Sequence, residues 1–371
     1  MKFLDYIQVN PTIKLEKDKQ YPFVEMANAD VFAREPKQID IKKYSSGVKF
    51  QRGDTVIARI EPCLQNGKGF FVKNISEGFG STEFLVFRPK DDKVTNEFLY
   101  YFMLTDYIRK SMINSMTGAT GRQRVNKDIF KSLELSLPSV EKQKRIADIL
   151  SAYDDLIENN QKQIKLLEEA AMRLYKEWFV KLRFPGHENT KIVDGVPEGW
   201  EYKEVGSLIS KTPRTKQVKK SEYKNSGEIP IIDQSREFIA GYTDDRETIV
   251  DLGVPVIVFG DHTRILKLIN FPFAKGADGT QLIVSGIEEM PQHLLYCSLV
   301  NIDLSNYHYA RHFKYLKASK IIVPTKNISE EFESIVEIYF KVIQILRDKI
   351  FLLQKSRDFL LPKLMNGEIE V

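Results

Sequence analysis

The chain has 371 residues, 55 Lys+Arg against 51 Asp+Glu, a formal net charge of +4, and 42% hydrophobic and 11% aromatic residues. This composition excludes a disordered, collagen-like or low-complexity chain, and at roughly 100–200 residues per domain it allows two to three domains with their own cores. Cys63 and Cys297 are too few for a disulfide framework and too far apart for a zinc motif. With no signal-peptide apolar segment after Met1 and no run near the roughly 18 apolar residues of a membrane span, a cytoplasmic protein without membrane contact is expected.

Taken in order, the elements occur twice. Residues 53–59 read as a short buried strand opened by the turn glycine Gly53, and residues 253–259 read the same way after Gly253. Residues 80–86 align with 278–284. The short stretches 96–102 and 291–297 each predict a helix. Residues 133–139 and 320–325 each predict a strand stopped by a proline, Pro138 or Pro324. The four pairs keep one order, and each set is followed by a long helix.

Those helices are the plainest elements. From 141 to about 181, Ile146, Leu150, Tyr153, Ile157, Ile164, Leu167, Leu174 and Trp178 recur at intervals of three, four and seven. From 331 to about 361, Phe332, Ile335, Tyr339, Val342, Leu346, Ile350, Leu353 and Leu360 do likewise. Each sustains about four heptads, the coiled-coil signature, and Asn160 occupies a seam position suited to fixing register. Such a stripe also suits one face of a compact bundle. The repeated plan favours two rods packed on each other, antiparallel, with a pseudo-twofold relation between the copies. The expected organisation is a first globular domain over 1–140, a long helix over 141–184, a linker over 185–200 rich in turn residues such as Pro185, Gly186 and Pro197, a second domain over 201–328, and a second long helix over 329–371. The fold class is α+β, with two mixed α/β domains separated by an antiparallel coiled coil.

Catalytic signatures are missing from the sequence. Gly67-Lys68-Gly69 lacks the spacing of a phosphate loop, and no dinucleotide or base-methylation motif is present. His308 and His312 stand four apart without a third ligand, so no metal site is expected. Glu61 and Glu83 find no matching carboxylates in the second copy, and Asp261-His262 has no nucleophile in a recognisable elbow. A binding protein is expected, with no catalytic residue and no bound cofactor.

Counting charge by segment sharpens this. Arg109, Lys110, Arg122, Arg124, Lys127 and Lys131 face only Asp128 over 109–131; Arg311, Lys314, Lys317, Lys320 and Lys326 face only Asp303 over 301–326. Lys211, Arg214, Lys216, Lys219, Lys220 and Lys224 face only Glu222 over 211–224. A single basic run is commonly a solvated face. Two in the same slot of a repeat, interleaved with Gln123, Asn126, Asn306, Tyr307, His308 and Tyr309, point to DNA: Lys and Arg meet phosphates, while Arg and Gln fork onto guanine and adenine. Candidate contacts are Ser81, Thr82, Arg122, Gln123, Arg124 and Lys127 in the first copy. In the second they are Lys211, Arg214, Lys216, Lys219, Lys220, Thr280, Gln281, His308, Tyr309, Arg311, His312 and Lys314. Ser81 and Thr82 equally suit a plain strand-start turn. Arg122→Ala is expected to weaken binding far more than Arg88→Ala.

Three stretches, Gly80-Ser81-Thr82-Glu83-Phe84-Leu85-Val86-Phe87-Arg88-Pro89, Thr120-Gly121-Arg122-Gln123-Arg124-Val125 and Leu137-Pro138-Ser139-Val140-Glu141-Lys142-Gln143, resemble the specificity subunit of type I restriction-modification systems. The resemblance covers essentially the whole chain. In the second copy Val323-Pro324-Thr325 is kept, but Glu331 follows after an apparent insertion and Gln143 lacks a counterpart. The resemblance implies two target recognition domains on a helical spacer, each reading half of a split, asymmetric site in double-stranded DNA. It implies two modification subunits that use S-adenosylmethionine, and restriction subunits that use ATP and magnesium. A scaffold that binds only proteins, and a nuclease hidden in one copy, remain as alternatives.

Overall fold

The computed structural model describes residues 2–276, 279–306 and 311–371. They form two compact units: residues 2–161 with 348–371, and residues 162–347. Both are mixed helix and sheet, and both long helices contribute a segment to each unit, so the division falls inside the helices.

Unit 1 carries two four-stranded sheets. One runs in the order Ile7–Val9, Phe84–Pro89, Thr55–Ala58, Gly69–Phe71, and the other Asp40–Lys43, Gln20–Val24, Glu77–Gly80, Val48–Gln51. Thr55–Ala58 is central and buried at every position, which is why it reads as an uninterrupted apolar run rather than an alternating one. In the second sheet Gln20–Val24 pairs parallel with Glu77–Gly80, and the other pairs are antiparallel.

Unit 2 repeats the plan. The order Gly241–Thr243, Ile229–Ile232, Phe273–Lys275, Ile249–Val250 again places one parallel pair at its centre. Val256–Gly260 lies between Leu266–Ile269 and Thr280–Ile283. The registers match too: Ile57 opposes Leu85 and Ala58 opposes Phe84, as Ile257 opposes Ile283 and Val258 opposes Leu282. These are the pairs that the sequence alignment of the copies requires.

One expected strand fails. Residues 133–139 hold only an isolated bridge, Lys2 with Glu134, because the partner segment turns into the helix Phe3–Tyr6 directly after Lys2. Its counterpart Lys320–Val323 finds a full partner in Glu201–Glu204. The second long helix also departs from expectation. It spans Lys326–Met365, passes through Pro362, and begins two residues after Pro324, as the first, Val140–Tyr175, begins two residues after Pro138. There is no insertion; the Ser329 N–H already donates to the Thr325 carbonyl at 3.1 Å. The first helix closes in a π turn over Lys176–Val180, which brings Trp178 and Phe179 inward.

Within each unit the two helix segments run antiparallel. In unit 1, Asp154 pairs with Arg357, while Ile146, Ala147 and Leu150 share a core with Leu364. In unit 2, Glu168 pairs with Arg347 and Trp178 and Phe179 meet Phe332. Asn160 is buried, as its seam position requires.

Gln143, fully buried, ties the first long helix to the short helix Asn96–Met103: its carbonyl accepts from the Thr95 N–H at 3.0 Å, and its amide donates to the carbonyls of Lys93 and Pro138 at 2.8 and 3.0 Å. Glu333 does the matching work in unit 2, accepting from the N–H groups of His293 and Leu294 at 3.3 and 3.2 Å at the start of Gln292–Val300. A carboxylate there also complements the helix dipole. The counterpart of Gln143 is therefore present in space, with different chemistry and at a shifted position.

Candidate nucleic-acid interface

In unit 1 three segments converge beyond the end of strand Thr55–Ala58: residues 59–67, the turn 81–83, and the hairpin Met116–Thr117 with Arg124–Val125. The Arg59 N–H donates to the Glu83 carbonyl at 2.8 Å, the Val125 N–H to the Arg59 carbonyl at 2.9 Å, and the Glu61 N–H to the Gln123 carbonyl at 2.9 Å. Ser81, Thr82, Arg122, Gln123 and Arg124 are thus brought together. Ser81 is half-buried and its hydroxyl accepts from the Glu83 N–H at 3.2 Å, so it builds the turn; Thr82 is exposed.

The charged groups are not equivalent. Arg124 is forked onto Glu83, with Nε at 2.9 and 3.0 Å from its two oxygens and Nη2 at 2.7 Å, and Arg59 reaches the same carboxylate at 3.3 Å. The hydrogen bond from Arg124, then that from Arg59, holds the Glu83 carboxyl below its ordinary range. Arg122 and Lys127 are exposed and make no ion pair among the described residues, whereas Lys131 and Lys110 are paired with Asp128 and Asp106. Arg109 stacks on Phe32 and donates to the Gln65 carbonyl. Arg88 forks onto the fully buried Asp54 at 2.6 and 2.8 Å, so Arg88→Ala would strand a buried carboxylate and cannot serve as a neutral control for Arg122→Ala.

In unit 2 the counterpart of the Arg59 and Glu83 pair is Phe259 opposite Gln281, without charge. Thr280 is buried within its strand and Gln281 is half-buried. His312 is buried too, its Nδ1 2.7 Å from the Asp261 carbonyl, and Asp261 accepts the Phe313 N–H at 2.8 Å. Thr280 and His312 therefore brace this face from within. Arg311 and Lys314 are exposed, with Lys314 over the Tyr315 ring. His308 and Tyr309, with Tyr307, lie outside the described residues.

The run over 211–224 is partly neutralised. Lys216 meets Asp245 and Glu247 at 2.8 and 2.9 Å, and Lys224 meets Asp244 at 2.8 Å. Lys211, Arg214, Lys219 and Lys220 are exposed and make no ion pair among the described residues. Counting charge along the chain could not show this, since Glu247 is 31 residues from Lys216.

Sequence reasoning missed one repeated device. Lys68 and Lys267 hold the same place in the two sheets and reach the carbonyls of the loops that follow Gln20–Val24 and Ile229–Ile232: Lys68 that of Met26 at 3.2 Å, Lys267 that of Asp233 at 2.8 Å. Burial pushes the Lys267 ammonium down to about 8. The signal was a basic residue inside an apolar strand, legible once the registers are aligned.

One sheet plan is built twice, with a different set of polar tips on each copy. Residues 5–169 match the family model for the type I restriction modification DNA specificity domain. The chain is 29% identical over 311 residues to the type I restriction enzyme MjaIX specificity subunit of Methanocaldococcus jannaschii, an alignment covering 76% of this chain and 71% of the relative. It is 32% identical over 169 residues to the HindI specificity subunit of Haemophilus influenzae, covering 44% of this chain and 36% of that one. The crystal structure of a type I restriction-modification S subunit from M. genitalium shares the fold, with a TM-score of 0.54 at 16% identity over 98% of this chain and 95% of that one. The first half of the chain thus matches the specificity-domain family, and the chain as a whole is similar to type I restriction enzyme specificity subunits.

Proposed function

We propose that the protein reads a bipartite, asymmetric site in double-stranded DNA through two target recognition domains, residues 1–140 and 201–328, and carries no catalytic residue itself. The long helices, 141–184 and 329–371, with the linker 185–200 between the first helix and the second domain, set the distance between the half-sites. Two modification subunits using S-adenosylmethionine dock on this frame, joined by restriction subunits using ATP and magnesium, in the cytoplasm. The observation that carries the reading is the duplicated sheet plan with unlike tips: Arg122 and Gln123 on a hairpin in one copy, Arg311 and Lys314 with uncharged Gln281 in the other. Two copies of one reader with different side chains suit two different half-sites. Exposed Ile338 and Ile345 in unit 2, and exposed Leu352 and Phe359 in unit 1, support a protein partner on the second long helix.

Two domains in successive major grooves on one side of the duplex need half-sites about 34–36 Å apart or a multiple of it. Removing whole heptads from both helices should change the spacer between half-sites and leave the bases of each half unchanged. Methylation sequencing of cells expressing the shortened chain with its modification subunits tests this. Altered half-site bases at constant spacing would contradict it.

A further inference from the structure

We infer that Glu83 is the positioning residue of the first recognition face: gripped by Arg59 and Arg124, it orients the hairpin tip that carries Arg122 and Gln123 and so sets base discrimination at one half of the DNA site. This deepens the DNA-binding reading and rests on it.

The geometry is specific. The Glu83 carboxylate, 23% exposed, takes both Nε and Nη2 of Arg124 and the Nε of Arg59. The other arm of Arg124 turns back to the Arg122 carbonyl at 3.3 Å, at the base of the tip. The far side of the same tip is held by Glu61, whose carboxylate accepts the Gly121 N–H at 2.9 Å. With its backbone tied at 121, 122 and 123, the tip leaves Arg122 outward and Gln123 half-exposed. A guanidinium or amide forks onto a base edge only when its approach is fixed, and ordering done before binding is not charged against affinity. The carboxylate has a second effect. It occupies two arginines that would otherwise seek phosphates, which favour every sequence alike. Unit 2 has Phe259 and Gln281 at these places, so the device belongs to one half-site.

The test uses the full chain purified with its modification subunits, and a duplex carrying the motif found by methylation sequencing of the wild-type system. Binding is compared with duplexes in which one half or the other is changed, across a salt series. For Glu83→Gln, discrimination at one half should fall about 10-fold or more. Discrimination at the other half should hold, affinity for unrelated DNA should stay or rise, and the salt dependence should steepen by about two released ions as Arg59 and Arg124 turn to phosphate. Arg124→Lys, which keeps charge but loses the fork, should show the same one-sided loss. Unchanged discrimination in both variants overturns the inference, as does an equal loss on motif and unrelated DNA, the mark of a merely structural residue. A wild-type system with no motif would instead defeat the DNA-binding reading.

Discussion

Unit 1 and unit 2 fasten their helix segments by opposite means. In unit 1, Arg357 and Asp154, 7% and 3% exposed, pair at 2.6 Å; the Tyr101 hydroxyl donates to the other Asp154 oxygen at 2.6 Å, and Arg357 also reaches the Phe32 carbonyl. Arg34, buried to the same degree, forks onto Glu158 and contacts Asp155. Burial drives the Asp154 carboxyl up, against the pull of Arg357. In unit 2 the same task falls to aromatic rings: Phe332 packs with Tyr175, Trp178 and Phe179, and Trp200 lies 4.6 Å from Phe184. Its cross-helix pair Arg347 and Glu168 is more open, at 25% and 44%. The lesson is that one backbone plan tolerates either a directional ionic clamp or non-directional packing. The ionic version fixes loop 32–34 against the helices by geometry, where the aromatic version relies on area.

The largest expected effect breaks the ionic clamp. Arg357→Met leaves Asp154 buried and unpaired and should cost about 3–5 kcal/mol in chemical unfolding of the full chain, while Arg357→Met with Asp154→Leu should recover most of that loss. A double variant no better than the single would mean that the pair is not the clamp. Phe332→Leu in unit 2 opens a partial cavity and should cost about 1–2 kcal/mol, read by hydrogen exchange of residues 162–347.

Titration separates the units further. Glu83 is held below its ordinary range, so its contribution to unit 1 is present above the unfolded carboxylate pKa and lost as pH falls through the depressed one. Lys267 is lowered from 10.5 to about 8, so the native state sheds its proton first, and unit 2 should gain stability as pH rises from about 8 toward 10.5. Lys267→Met should flatten that rise, measured by hydrogen exchange corrected for intrinsic rates; an unaltered rise would assign it elsewhere.

The smallest effect concerns lysines that only look alike in sequence. Arg214→Ala should reduce the salt slope of DNA binding by about one, and Lys216→Ala by much less, because Asp245 and Glu247 already neutralise it. Equal slopes would mean that Lys216 leaves its acids on binding.

These contrasts mark what the sequence could show. The rods were legible because heptad spacing is local, and the two copies because turn glycines and buried runs recur in order. The second helix start was misplaced by following the Glu-Lys-Gln motif when the constant feature is the proline two residues upstream. The neutralisation of Lys216 and Lys224, and the grip of Glu83 on Arg124, depend on pairs 20–41 residues apart that only the folded sheets bring together. Gln143 and Glu333 hide for another reason: they fill one role from different positions with different groups.

Methylation sequencing of cells carrying the chain and its modification subunits, with and without Arg122→Ala and Arg311→Ala, bears most directly on the central claim. The expected result is one split motif that vanishes without this chain, with Arg122→Ala relaxing one half and Arg311→Ala the other. A continuous motif, or one half altered by both substitutions, would contradict it.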